Sequence, residues 1–249
     1  EYLRELHLHS NCLRTLPEGL FQNLSNLSEL QLHGNCLRTL PEGLFDSLEG
    51  LQELNMAWNQ LEALPPPVFR NLSSMRQLHL QGNRLRTLPA GLFQSLSNLE
   101  ELDLSNNGLE VVEKGAFQGL TKLNEMDLSD NNLSCLPEGI FREVGMDCSL
   151  YWYCYKVTLR LQGNMLRTLD GAFDGFVMLR KLYLQHNRLT SFLPGALKEL
   201  KHLSHLDLSN NSLTTLDEHS FDSLERLREL NMAWNQLEAL PPQVFRNLS

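Results

Sequence analysis

The phrase Leu-x-x-Leu-x-Leu-x-x-Asn-x-Leu-x-x-Leu is written ten times along this chain of 249 residues, and most copies run on into Pro and then Phe. One clear copy starts at Leu27 and carries Leu30, Leu32, Asn35, Leu37, Leu40, Pro41, Phe45 and Leu48. The next starts at Leu51, with Leu54, Met56, Asn59, Leu61, Leu64, Pro65, Phe69 and Leu72. Repeats begin at Leu3, Leu27, Leu51, Met75, Leu99, Leu123, Lys156, Leu179, Leu203 and Leu227, spaced by 24 residues except for one step of 33 and one of 23. A unit this short cannot bury its own leucines. It becomes stable only when copies stack, so the period dictates a solenoid before any other feature is weighed.

Within each copy Leu-x-Leu alternates apolar and polar residues, the pattern of a strand with one buried face. Stacking the copies about 4.8 Å apart gives a parallel sheet with a leucine core behind it. The expected fold is an α/β-type repeat: one solenoid over residues 1–249, about ten repeats, with a curved concave sheet and an irregular or short-helical convex side. Asn11, Asn35, Asn59, Asn83, Asn107, Asn131, Asn164, Asn187, Asn211 and Asn235 fall in the turn leaving each strand. A carboxamide there both donates and accepts, so it can pair backbone groups that the turn would orphan. On the convex return, Phe21, Phe45, Phe69, Phe93, Phe117, Phe141, Phe173, Phe221 and Phe245 should form a buried stack, with Leu197 taking the place in repeat eight.

The net charge of −9 argues against nucleic acid and anionic membranes as main partners, and allows a basic protein. Charged residues interrupt every apolar run well short of the roughly 18 residues that span a bilayer, so no membrane insertion by this segment is expected. No signal peptide precedes the first repeat, and neither end carries a polar cap. The expectation is a segment whose flanks lie elsewhere, or ends covered by another chain.

The long step holds an insertion within residues 145–155, between repeats six and seven. Cys148 and Cys154 bound a cluster in which Tyr151, Trp152 and Tyr153 either reach a partner as contact residues or fold back on the solenoid flank. Cys12 and Cys36 follow ladder asparagines in adjacent repeats, a separation a disulfide can bridge. Cys12–Cys36 and Cys148–Cys154 are therefore candidate bridges, reduced thiols being the alternative, with Cys135 left over. Two bridges would favour an oxidising compartment. Glycosylation sequons at Asn23, Asn26, Asn71, Asn132, Asn210 and Asn247 agree with secretion, although most are versions of one repeated phrase.

The outward positions of the strands align as columns. Glu101, Asp103, Glu125, Asp127 and Asp130 should form an acidic patch over repeats five and six. Arg160, Arg180, Lys181, Tyr183 and His186 should form a basic, aromatic patch beside it, and this polarity could steer a partner of opposite pattern. The alternative is a solvated face that follows the repeat consensus. Residues 45–73 and 221–249 match at 26 of 29 positions, including Trp58 and Trp234, which points to recent duplication or modular assembly. His7, His9 and His33 lie close enough to raise the thought of zinc, but a surface column explains them more simply, and no metal or cofactor is expected. No nucleophile–base pair or phosphate-binding loop stands out, so enzymatic activity is not expected.

The phrase Leu-Pro-Glu-Gly-Leu-Phe at Leu16–Phe21 and Leu40–Phe45, on a 24-residue period, resembles the typical class of extracellular leucine-rich-repeat proteins. The likeness covers all but the insertion. The class includes serum proteins such as leucine-rich alpha-2-glycoprotein, the acid-labile subunit, the carboxypeptidase N regulatory subunit and beta-type phospholipase A2 inhibitors, as well as Toll-like receptors. The chain departs from them in lacking Cys-rich caps. The resemblance implies protein binding through the concave face, by a secreted glycoprotein that carries or inhibits another secreted protein. Its alternatives are a receptor or adhesion ectodomain, and an engineered or structural scaffold.

Overall fold

The computed structural model describes residues 2–147 and 157–248. Ten short strands form one parallel sheet: β1 (Glu5–His7), β2 (Glu29–Gln31), β3 (Glu53–Asn55), β4 (Gln77–His79), β6 (Glu101–Asp103), β8 (Glu125–Asp127), β9 (Val157–Arg160), β10 (Leu179–Tyr183), β11 (His205–Asp207) and β12 (Glu229–Asn231). β5 (Thr87–Leu88) and β7 (Val111–Val112) form a second, two-stranded parallel sheet beyond the turn. A single 3-10 turn, Pro66–Phe69, is the helical content among the described residues.

Register is the repeat number made physical. Leu30 faces Leu6 and Leu54, and Leu102 faces Leu78 and Met126, so every inward leucine meets its equivalent in the next copy. Behind the sheet these side chains form one continuous core in which Leu30, Leu54, Leu78, Leu102, Met126 and Leu159 are fully buried. Burying each contributes about 1.5–3 kcal/mol. The phenylalanines form the expected stack, with ring centroids 5.7 to 6.4 Å apart in adjacent pairs from Phe69 to Phe141. Leu197 is buried in the eighth place. Phe245 departs from expectation: it stacks on Phe221 on one side only and is 41% exposed.

The asparagine ladder is denser than the sequence implied. Asn59 donates to the carbonyl of Met56 in its own turn and to that of Leu32 one repeat earlier, while its Oδ1 accepts from the Leu37 N–H. The same set recurs from Asn35 to Asn235. Asn164 makes it across the long step, to Leu133 N–H and Leu128 O, so the insertion leaves the stack in register. The expected start of repeat seven at Lys156 lies outside the described residues. Val157, 2% exposed, fills the first core position, opposite Leu179. The register then slips between Leu179 and Lys181, which sets Arg180 in a bulge.

A column of left-handed backbone precedes the ladder. In all ten repeats the residue before the Asn has positive φ: Ser10, Gly34, Trp58, Gly82, Asn106, Asp130, Gly163, His186, Asn210 and Trp234. Gly, Asn and Asp suit that conformation, whereas a tryptophan there is strained.

Candidate interaction surface

The sheet brings most of the sequence-predicted face together. Glu101 pairs in register with Glu125 and Asp103 with Asp127; Glu125 then faces Thr158 and Asp127 faces Arg160. One strand further, Lys181 lies opposite Thr158 and Tyr183 opposite Arg160. Asp130, Arg180 and His186 stand outside these rows, exposed in turns or in the bulge, and flank the face.

The two patches meet in one side chain. The Arg160 guanidinium ion-pairs with Glu125 on the acidic side, and its carbon lies 5.7 Å from the Tyr183 ring centroid on the other. A cation over an aromatic face at this distance is attractive. Arg160 therefore bridges the charge reversal, and both partners keep one side open to solvent.

Part of the acidic column does structural work that the sequence reading did not assign. Asp103, Asp127 and Asp207 each accept from the N–H of the serine two residues on, at 2.8 to 2.9 Å. Asn55 and Asn231 do the same to Ala57 and Ala233 at 3.1 Å. These side chains hold the turn that leaves the strand. Burial raises the Asp127 carboxyl above the ordinary aspartate range, with Asp103 adding to the rise, while the Ser129 hydrogen bonds and Arg160 oppose it. The signal was in the sequence: Asp-Leu-Ser recurs at 103, 127 and 207.

Toward the first strands the face is amide-bridged. Buried Gln31 donates to Glu29 at 3.1 Å and to Glu53 at 2.7 Å, offsetting the repulsion of stacked carboxylates. His9 and His33 stack with centroids 4.5 Å apart, and His7 meets His9 edge-on. Burial first, then the neighbouring imidazoles, lowers the His33 pKa. No cluster of three or more metal-ligating side chains occurs among the described residues.

Among the described residues Trp58 and Trp234 are the largest exposed rings, 59% and 81% exposed, at the rim where the left-handed column runs. The Trp58 indole covers Gly82, where an added Cβ would come within 2.3 Å of the ring. Cys12, Cys36 and Cys135 are free thiols, so no bridge joins Cys12 to Cys36. Cys148, Cys154, Tyr151, Trp152 and Tyr153 lie outside the described residues. The asparagines of all six sequons are exposed; Asn71 and Asn247 also donate to Asp46 and Asp222 carbonyls in the preceding repeat.

Solved structures of the same architecture include a chain of the Toll–Spatzle complex of Drosophila, with a TM-score of 0.87 and 28% identity over 98% of this chain and 32% of that one. The LRIM1/APL1C complex gives 0.76 and 25%, covering 96% of this chain and 41% of the other. The TLR13–ssRNA13 complex gives 0.68 and 26%, covering 98% and 42%. The chain thus spans about a third of the Toll chain and under half of the other two. No curated protein matches it significantly in sequence. No helix among the described residues is long and apolar enough to cross a membrane. The leucine-rich-repeat family model matches residues 1–61, 59–109, 97–144 and 179–237, well over half the chain. The chain belongs to the leucine-rich-repeat family.

Proposed function

We propose that this chain is an extracellular protein-binding module, and that its partner docks across the charge reversal on the concave face. The observation that carries this reading is the Glu125–Arg160–Tyr183 junction, where a paired, half-exposed arginine joins an acidic row to a basic, aromatic one. Such a junction gives a partner both a direction and a register. Toll with Spatzle and LRIM1 with APL1C are structural neighbours solved in protein complexes, which supports a protein partner here. A secreted glycoprotein that carries or inhibits another secreted protein is the version that fits the six exposed sequons. A receptor ectodomain fits the Toll and TLR13 likeness. A purely structural scaffold would not need the reversal. The net charge of −9 speaks against nucleic acid, although the TLR13–ssRNA13 complex marks this as a property of the chain rather than of the fold.

The insertion belongs to the same proposal. The described residues on either side of it are Asp147, which donates its N–H to Thr121 O, and Val157, which opens β9, the strand that ends at Arg160. Tyr151, Trp152 and Tyr153 would then add aromatic contacts at the rim of the docking face. The test is capture from extracellular fluid by the wild type and by Arg160→Glu, with quantitative mass spectrometry. A protein retained by the wild type, released by salt and lost in the variant supports the reading; identical capture profiles sink it. A membrane anchor encoded downstream in the parent protein would select the ectodomain version.

A further inference from the structure

Beyond the ladder, on the flank, positive charge gathers at one end. The residue three positions after the ladder Asn forms a column reading Arg14, Arg38, Glu62, Arg86, Glu110, Ser134, Arg167, Thr190, Thr214 and Glu238. Only at its start do two arginines adjoin. Parallel stacking fixes their neighbourhood: the Cys36 N–H donates to Leu13 O at 2.9 Å, and the Gln60 N–H to Leu37 O at 2.8 Å. Arg14-Thr15 and Arg38-Thr39 are therefore the same dipeptide at the same place in consecutive repeats.

Together these four side chains, with Cys36 and Gln60, line a hollow of about 580 Å³. Its lining offers two guanidinium groups, two hydroxyls, an amide and a thiol, and no carboxylate. Arg70, Arg76, Arg160 and Arg246 are ion-paired, whereas most of the other arginines form no ion pair among the described residues. The Arg14 and Arg38 guanidinium groups have no ion-pair or hydrogen-bond partner among the described residues, and both residues are exposed. Two neighbouring guanidinium groups repel, and an anion held between them would relieve that repulsion.

We propose that this hollow binds a tetrahedral oxyanion, a sulfate or phosphate group held between the Arg14 and Arg38 guanidinium groups. Guanidinium forks match oxyanion geometry with paired N–H donors, and Thr15, Thr39 and Gln60 can supply further donors to the remaining oxygens. The size and the flanking Glu62 fit one anionic group on a small carrier. A long polyanion would meet the carboxylates of the neighbouring faces. The site lies apart from the concave docking face and does not depend on its reading.

The test is calorimetry at low ionic strength on the full chain with inorganic phosphate, inorganic sulfate and phenyl phosphate. Wild type should bind at least one of them in a saturable, one-to-one, salt-sensitive manner. Arg14→Gln and Arg38→Gln should each weaken binding at least tenfold, Arg38→Lys less, and Arg84→Gln, one repeat beyond the lining Gln60, only slightly. Both sites are exposed, so melting temperatures should hold and report intact folding. Tighter binding of phenyl phosphate than of the inorganic ions would assign a monoester ligand; equal binding would assign the free ion. The proposal falls if wild type binds none of the three, or if Arg84→Gln weakens binding as much as Arg38→Gln does.

Discussion

Replacing Asn131 by leucine removes the polarity of one ladder rung while nearly keeping its shape, because both side chains branch at Cγ. Asn131 is buried, donates to Leu104 O at 3.0 Å, Leu128 O at 3.1 Å and Ser129 O at 3.0 Å, and accepts from Leu109 N–H at 3.0 Å. The carbonyls survive the change. Leu104 O keeps Asn107, Leu128 O keeps Asn164, and Ser129 O keeps the Asn106 N–H. The Leu109 N–H alone is orphaned, inside a residue of 0% exposure. An unsatisfied buried donor costs about 1–3 kcal/mol, and the weakened carbonyls bring the expected loss to about 2–4 kcal/mol. Asn11→Leu is the control, since exposed Asn11 donates only to Leu8 and His9 carbonyls of its own turn. Its loss should stay below about 1 kcal/mol. Urea unfolding followed by circular dichroism would measure both, and amide exchange at Leu109 would report the orphan directly. Equal losses for the two variants, or full protection of the Leu109 amide in Asn131→Leu, would refute the one-orphan account.

Asp127→Asn should be neutral or stabilising at pH 7. Asparagine keeps the acceptor for Ser129 N–H, as Asn55 and Asn231 do in their own turns, and loses a buried charge. Because the folded-state pKa of Asp127 lies above its unfolded value, the native state holds the proton more tightly. Its contribution is thus fully present below the unfolded pKa and is lost as pH rises through the folded one. The variant should flatten that fall in an acid-range stability profile; an unchanged slope would discount the burial effect. Gly119→Ala should cost about 2–4 kcal/mol, since its φ is +87° and the new Cβ would sit 2.6 Å from the Gln94 carbonyl oxygen, which cannot swing away. Gly82→Ala meets only the Trp58 ring, a movable side chain, so it should shift tryptophan fluorescence with a smaller stability loss. A larger loss at Gly82 than at Gly119 would reverse the ranking of backbone and side-chain obstacles.

The period carried the register of the sheet, the ladder and the phenylalanine stack, because stacking makes equal positions neighbours. It therefore also aligned Asp127 with Arg160, whereas the ion pair that Arg160 makes diagonally with Glu125 was not legible in it. Single residues were harder. Asp103 and Asp127 read as free surface charge, although the following serines already spelled a turn that needs an acceptor. The shift of one residue after repeat seven was visible as a step of 23, but not that the slack would be taken up at Arg180. Left-handed backbone was legible where the column held Gly, Asn or Asp. It was invisible at Trp58 and Trp234, whose side chains give no hint of that conformation. The Cys12–Cys36 bridge was allowed by spacing, yet both thiols stay free, since adjacency permits a bond without requiring one.

The ladder has a direction. From Asn35 to Asn235 each side chain reaches back to close the turn of the repeat before it, and none reaches forward. A repeat leaving the ribosome is consequently unfinished until about 22 further residues, the span from Leu37 to Asn59, have emerged. Synthesis order and closure order then coincide, and folding can follow translation one turn behind. A stalled or shortened chain would leave its last repeat open at the growing edge, with strand and turn N–H groups such as those of Leu32, Gly34 and Leu37 waiting for the next copy, rather than a disordered whole.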